Sequence, residues 1–386
     1  MQISIIKEIL PEENRVAATP ETVKKYSDLG FDVAVQSSAG AGIGRSDDEY
    51  EGAGAQVIRD VEELYDRADL LLKVKQPIFN PSVRKHEVDM MREGGMLITF
   101  LHPAAPANHD MIRMLRNKRI TSFTMDGIPR ISRAQRMDAL TSMSTVTGYK
   151  SVLIAANEMP RFVPMMGTAI GTVQPARFLI VGAGVVGLQA IATAKRLGGT
   201  VKAVDIREEA RKEAASLGAK IIEFDVPREL AAGEGGYAKA LPPEWLIKER
   251  EALQSPVSEA DIVILSALVP GEVAPILITE EMALSMKAGS VIMDVSIDQG
   301  GNCAMTEPGC MSRKNGLSIC GFQNIPGRMA VHSSWLYAMN LYYYVENLFN
   351  KGRKTPDLED DIVKHTLVTH EGKILYQGAL KAMGEV

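Results

Sequence analysis

The seven residues Val181-Gly182-Ala183-Gly184-Val185-Val186-Gly187 constrain this chain more than any others, because of what flanks them. The run from Arg177 to Val181 is short and apolar and reads as a buried strand. Leu188 to Leu197 has a helical pattern that ends at Gly198-Gly199. A second strand follows from Val201 to Val204 and is closed by Asp205. Strand, GxGxxG, helix, strand and acid in this order form the fingerprint of a dinucleotide-binding unit.

Each part has a mechanical reason. Gly182 permits the tight turn out of the strand, Gly184 lets a pyrophosphate approach the backbone, and Gly187 lets the helix pack close to the sheet. The pyrophosphate would sit on the N–H groups at the positive end of the helix, around Val185 and Val186. Asp205 follows Gly182 by 23 residues, near the spacing at which a carboxylate accepts hydrogen bonds from the adenosine ribose. A 2′-phosphate would be repelled there, which favours NAD(H) over NADP(H). Arg207, two residues after Asp205 with Ile206 between them, pulls the other way, since an arginine can accommodate a phosphate.

A chain of 386 residues is expected to form two domains. A net charge of -5 gives no reason to invoke nucleic acid or an anionic membrane surface. Only Cys303, Cys310 and Cys320 are present, an odd count that argues for a reducing, cytoplasmic setting. None has a metal-type spacing, so no metal is expected, and Cys303 reads as a structural thiol. The opening residues read as a strand and not as a signal peptide. No apolar run reaches the roughly 18 residues needed to cross a bilayer, so any membrane role is expected to come through a partner.

Strand and helix patterns alternate up to Thr124, which predicts a mostly parallel sheet with covered faces. Helix is expected from Asp138 to Met159, then a Pro- and Gly-punctuated stretch from Pro160 to Pro175, then the nucleotide-binding unit. Further strands are expected at 262–265 and 289–295, helix from Ser333 to Phe349, and a hairpin around Glu371-Gly372. The predicted fold class is α/β, with two doubly wound Rossmann-like domains and a cleft between them. Residues 1–138 with 328–386 would form the first, the C-terminal segment returning to it, and 139–327 the NAD(H)-binding one, with its linking helix. The stretch 231–240, with three glycines and no periodicity, reads as mobile.

Four polar residues fall at predicted strand ends or in the loops after them, where open α/β sheets place ligands. They are Arg15, Lys75, His102 and Asp298. Together they suit an amino or oxo acid. An arginine clamps a carboxylate, a lysine polarises a carbonyl, a histidine relays a proton near neutral pH, and an aspartate handles a water or amine proton. The alternative is four separate surface charges.

Over essentially its whole length the chain resembles the alanine dehydrogenase/pyridine nucleotide transhydrogenase family. Lys7-Glu8 with Asn14-Arg15-Val16-Ala17-Ala18-Thr19-Pro20 is similar to the family's N-terminal signature, as is Ala267-Leu268-Val269-Pro270-Gly271 with Ala274-Pro275. Within the family it looks most like the NAD(H)-binding domain I of proton-translocating transhydrogenase. Three segments carry this: Pro129 to Asp138, Ala190 to Gly198, and Gly235-Gly236-Tyr237-Ala238-Lys239. The resemblance implies that Arg130 and Asp138 hold the NADH carboxamide and that Gln135 reaches the NADP(H) of a partner. Thr141 stands where a serine is usual and keeps the hydroxyl. It also implies that Gly236 and Tyr237 fold over bound NAD(H), that Ala267 and Leu268 contact it, and that the chain is a homodimer.

Lys75 and Asp298, in Val74-Lys75-Gln76-Pro77 and Ile297-Asp298-Gln299-Gly300-Gly301, look more like alanine dehydrogenase. With Arg15, His102 and Asn324 they complete a dehydrogenase-type substrate set. The chain thus combines one branch's cofactor loops with the other's substrate residues. The leading expectation is an NADH-binding transhydrogenase subunit, working with NADP(H)-binding and membrane-spanning subunits at the inner face of the cytoplasmic membrane. A stand-alone NAD-dependent amino acid dehydrogenase is the alternative, and an NAD-sensing module without turnover the third.

Overall fold

The computed structural model describes residues 1–233, 238–269, 273–349 and 355–385. They divide into two compact units, Met1–Met143 with Pro326–Val386, and Ser144–Ile325.

The first unit begins with strands β1 (Gln2–Ile5), β2 (Asp32–Gln36), β3 (Gln56–Ile58), β4 (Leu70–Leu72), β5 (Met96–Thr99) and β6 (Thr121–Thr124). Helix α1 (Pro20–Asp28) is capped by Thr19. The Thr19 hydroxyl accepts a hydrogen bond from the Thr22 N–H, the Thr22 hydroxyl accepts one from the Thr19 N–H, and Pro20 fills the first turn, where no N–H is needed. Strand β4 stops at Leu72, so Lys75 lies in the loop that follows it. A 3₁₀ turn, Ser132–Met137, precedes the 20-residue helix α2 (Ala139–Glu158).

In the second unit, strands β7 (Arg177–Val181), β8 (Thr200–Val204), β9 (Lys220–Ile221), β10 (Ile262–Leu265), β11 (Val291–Asp294), β12 (Met311–Lys314) and β13 (Leu317–Cys320) form one sheet. Their spatial order is β9-β8-β7-β10-β11-β13-β12, parallel except for the edge strand β12. The winding reverses between β7 and β10, which makes the carboxyl ends of these two strands the topological switch point. Helix α3 (Val185–Arg196) follows β7 and buries Ala190, Ile191 and Ala194. Helix α4 (Pro243–Glu259) has no counterpart in the sequence reading. Its buried stripe of Glu249, Leu253 and Val257 is narrow and includes a charge, and Pro256 lies inside it. The punctuated stretch after α2 contains an exposed antiparallel hairpin, Met166–Thr168 with Gly171–Val173. Of the cysteines, Cys303 and Cys320 are buried and Cys310 is exposed.

The chain then returns to the first unit through α5 (Ala330–Leu348). Tyr337, Leu341, Tyr344, Val345 and Leu348 recur at helical spacing and are wholly buried. Burying one such side chain stabilises the fold by roughly 1.5–3 kcal/mol. Strands β14 (Leu367–His370) and β15 (Lys373–Ile374) complete the first sheet in the order β15-β14-β6-β5-β4-β1-β2-β3. The pairing of β14 with β6 is antiparallel, and the strands from β6 to β3 run parallel. Both units are therefore α/β, with parallel-dominated sheets.

Candidate functional site

The nucleotide-binding turn lies at the switch point of the second unit. Gly182 has φ of +89°, and a Cβ there would stand 2.8 Å from the Ala267 nitrogen. A Cβ at Gly187 would run into the Gly182 carbonyl oxygen, which confirms the close helix–sheet contact read from the sequence. At Gly184 the nearest neighbour of such an atom is Arg207 Nη2 at 3.9 Å, so the space in front of the turn is open. Gly184 begins α3 without a side-chain cap, which leaves the Val185 and Val186 amides at the positive helix end for an anion. An open cradle, an uncapped helix start and an acid at the next strand end fit the pyrophosphate and adenosine of a dinucleotide.

Asp205 ends β8, is 6% exposed, and is more committed than the sequence suggests. It accepts hydrogen bonds from the Ala183 N–H at 2.8 Å, the Arg207 N–H at 2.8 Å, Arg207 Nε at 2.9 Å and Arg207 Nη2 at 2.8 Å. A ribose hydroxyl approaching Asp205 must therefore compete with the Arg207 guanidinium. Beside them is a cavity of about 720 Å³ lined by charged side chains, among them Arg207, Glu209 and Arg211, and by the apolar Ile206, Val226 and Trp245. Ala267 follows β10 and donates its N–H to the Asn302 side chain at 3.1 Å, with Leu268 half-buried next to it. Gly236, Tyr237, Pro270 and Gly271 lie outside the described residues.

In the first unit, the segment from Arg130 to Thr141 is held by its other side chains. Arg133 pairs with Asp360 at 2.7 Å and with Asn347 at 3.0 Å. The Arg136 guanidinium covers the Tyr343 ring at 3.5 Å, and its carbonyl accepts from Asn340 at 2.8 Å. Gln135 and Arg130 are exposed on this anchored frame. Asp138 opens α2, accepting the Thr141 N–H at 2.8 Å and the Thr141 hydroxyl at 2.6 Å, so Thr141 orients Asp138.

The dehydrogenase-type set is divided. Arg15, Lys75 and His102 belong to the first unit, while Asp298, exposed on the 3₁₀ turn Ile297–Gln299, and Asn324, at φ +50°, belong to the second. Arg15 is buried and forks onto the neighbouring Glu13, at 2.7 and 2.5 Å. Burial pushes the Glu13 carboxyl up, but hydrogen bonding and charge from Arg15 outweigh it and hold it below the usual range. His102 has φ of +45°, a strained value for a non-glycine residue. Its ring lies flat on Phe100, and its Nδ1 is 2.8 Å from Asp126 Oδ1. The His102 N–H donates to Asp126 Oδ2 at 2.8 Å, and the Thr124 hydroxyl adds a third contact to the carboxyl. These contacts outweigh burial and keep Asp126 ionised below the ordinary carboxylate range.

Models of this family match both parts of the chain. "Alanine dehydrogenase/PNT, N-terminal domain" covers residues 4–147 and "Alanine dehydrogenase/PNT, C-terminal domain" covers 151–377. The chain belongs to the alanine dehydrogenase/PNT family. It is 43% identical over 379 residues to the first of the polypeptides that make up NAD(P) transhydrogenase subunit alpha in Rhodospirillum rubrum, across 97% of this chain and 98% of that one. A solved transhydrogenase from Sinorhizobium meliloti is 38% identical, with a TM-score of 0.83 over 98% of this chain and 99% of that one. A solved L-alanine dehydrogenase is 28% identical, with a TM-score of 0.82 over 100% of this chain and 99% of that one. The fold thus does not separate the two branches, whereas the sequence is more similar to the transhydrogenases, as its loop segments suggested.

Within this alanine dehydrogenase/PNT frame, three contributors escaped the sequence reading. Asp126 orients His102 from 24 residues away, an adjacency that the parallel pairing of Thr99 with Thr124 creates. Glu13, partner of Arg15, reads as one more charge in a polar run. Glu249 sits in a stretch of α4 that looks like a solvated face, yet it is buried. Burial, with the Asp205 charge adding to it, pushes its carboxyl up to about 7, against the pull of Arg250.

Proposed function

We propose that this chain is the NAD(H)-binding component of a proton-translocating NAD(P)+ transhydrogenase. It would work as a homodimer with NADP(H)-binding and membrane-spanning subunits, cytoplasmic and reaching the membrane only through them. The reading rests on the similarity to transhydrogenase alpha subunits over nearly the whole chain, and on one structural observation. Gln135 and Arg130 are exposed on a segment whose neighbours Arg133 and Arg136 are anchored to α5 and Asp360. Such a segment is suited to meeting a second nucleotide.

When bound, NADH supplies the hydride that passes directly to NADP+ on the partner, so the chain's work is positioning and exclusion of water. The Val185 and Val186 amides would hold the pyrophosphate over Gly184. Asp205, with Ile206 and Arg207, would take the adenosine ribose, and Ala267 and Leu268 the nicotinamide half. Gly236 and Tyr237 are assigned to covering the bound nucleotide. Arg130 and Asp138, the latter oriented by Thr141, are assigned to the carboxamide, and Gln135 to the NADP(H) of the partner.

A second reading, an alanine-type dehydrogenase, is favoured by the His102–Asp126 dyad, which is built as a proton-exchanging histidine usually is. In that reading Arg15 must share the fork that Glu13 now fills before it can take a substrate carboxylate, while Lys75 polarises the carbonyl and Asp298 assists in proton transfer. Mixing the chain with a transhydrogenase's NADP(H)-binding subunit and following transfer from NADH to NADP+ tests the first reading. No transfer, with NADH bound, would overturn it.

A further inference from the structure

Asp294, the last residue of β11, is wholly buried, and its carboxylate closes the loop that follows. Oδ1 accepts the Ser296 N–H at 3.2 Å, and Oδ2 accepts the Asn302 and Cys303 N–H groups at 2.9 and 3.0 Å. Gly300 and Gly301 turn the chain back with φ of +103° and +83°. A Cβ at Gly301 would stand 2.8 Å from Asp294 Oδ2, so a larger residue could not make this return. The loop carries the exposed Asp298 on its turn and delivers Asn302 to a position with no exposure at all.

Asn302 uses its whole amide. Oδ1 accepts the Ala267 N–H at 3.1 Å, and Nδ2 donates to the Ala267 carbonyl at 2.8 Å and to the Pro275 carbonyl at 2.8 Å. Its own carbonyl accepts the Leu277 and Ile278 N–H groups at 2.8 and 2.9 Å. Ala267 is thus paired on both main-chain groups by one side chain, as a neighbouring strand would pair it. Ala267 in turn rests against Gly182, whose carbonyl accepts the Ser266 hydroxyl at 2.9 Å. Asn302 therefore ties the loops after β10 and β11 together, and Ser266 ties the end of β10 to Gly182 after β7.

We infer that Asn302 is a positioning residue for the nicotinamide half of the bound dinucleotide. It fixes Ala267 against the dinucleotide-binding turn and ties it to the loop that carries Asp298. The inference rests on the proposed NAD(H) site in the second unit. It follows from the sheet order, since adenosine falls on the β8 side of the switch point and nicotinamide on the β10 side. Asn302 touches the β10 side alone, so its loss should be felt by one half of the ligand and not by the other.

The test is calorimetric titration of NADH and of ADP, which lacks the nicotinamide half, into the full chain and two variants. Asn302→Leu removes all three side-chain bonds at similar volume. Asn302→Asp keeps the acceptor for the Ala267 N–H but loses the two donors, and it serves if the leucine variant does not fold. Each buried hydrogen bond contributes modestly, so NADH should bind about 10-fold more weakly to either variant, while ADP binds as before. Equal losses for both ligands, or no loss for NADH, in a folded variant would overturn the inference. Failure of the unmodified chain to bind either ligand would instead overturn the NAD(H) reading beneath it.

Discussion

The Arg207 guanidinium forks onto Asp205, Nε to Oδ1 at 2.9 Å and Nη2 to Oδ2 at 2.8 Å, at the end of β8. The hydrogen bonds it donates to Asp205 hold the Arg207 guanidinium above its already high ordinary range, against the opposing effect of burial. A ribose 2′-hydroxyl can share this carboxylate, whereas a 2′-phosphate meets its negative charge. NADH should therefore bind more tightly than NADPH, and Asp205→Ala should narrow the gap. Fluorescence titration of both nucleotides checks this, and equal affinities in the unmodified chain would contradict it.

Gly187→Ala should destabilise the second unit and weaken NADH binding together. The added methyl meets the Gly182 carbonyl oxygen, a main-chain atom that can yield only if the turn moves. Overpacking of this kind costs about 1–3 kcal/mol. Thermal denaturation and an NADH titration measure the two effects, and a variant unchanged in both would contradict the close helix–turn contact.

The glycine turn was legible in the sequence because glycine spacing records backbone geometry directly. Partners that sheet pairing brings together from afar leave no such mark. Asp126 meets His102 because β5 and β6 lie in register, and Asn302 reaches Ala267 from 35 residues away. Val74 extends the apolar run toward Lys75, yet pairing in β4 stops at Leu72, so the sequence pattern alone does not separate strand end from loop there. Helix α4 was missed because Glu249 occupies a buried position where the pattern needs an apolar residue.

Glu249 gives a pH-dependent prediction. Its carboxyl is pushed up to about 7 in the folded chain, while an unfolded glutamate titrates near 4.3. Between those values the folded chain keeps a proton that the unfolded chain releases. Stability therefore falls as pH rises through this window, by a total on the order of 3 kcal/mol. Glu249→Gln removes the charge, so its thermal midpoint should exceed that of the unmodified chain at pH 8 and the difference should vanish near pH 4.5. An offset independent of pH would contradict this account.

The most direct measurement of the central claim sets two variants against two assays. Transfer of hydride from NADH to NADP+ on a transhydrogenase's NADP(H)-binding subunit is compared with NADH oxidation by the chain alone with pyruvate and ammonia. The transhydrogenase reading predicts that Gln135→Asn lowers transfer on the order of 100-fold while NADH still binds, since loss of one positioned contact can let ring geometry slip by about 1 Å. It predicts that His102→Ala leaves transfer nearly unchanged and that the chain alone shows no pyruvate-dependent turnover. Robust pyruvate- and ammonia-dependent oxidation of NADH by the isolated chain, abolished in His102→Ala and untouched in Gln135→Asn, would contradict it.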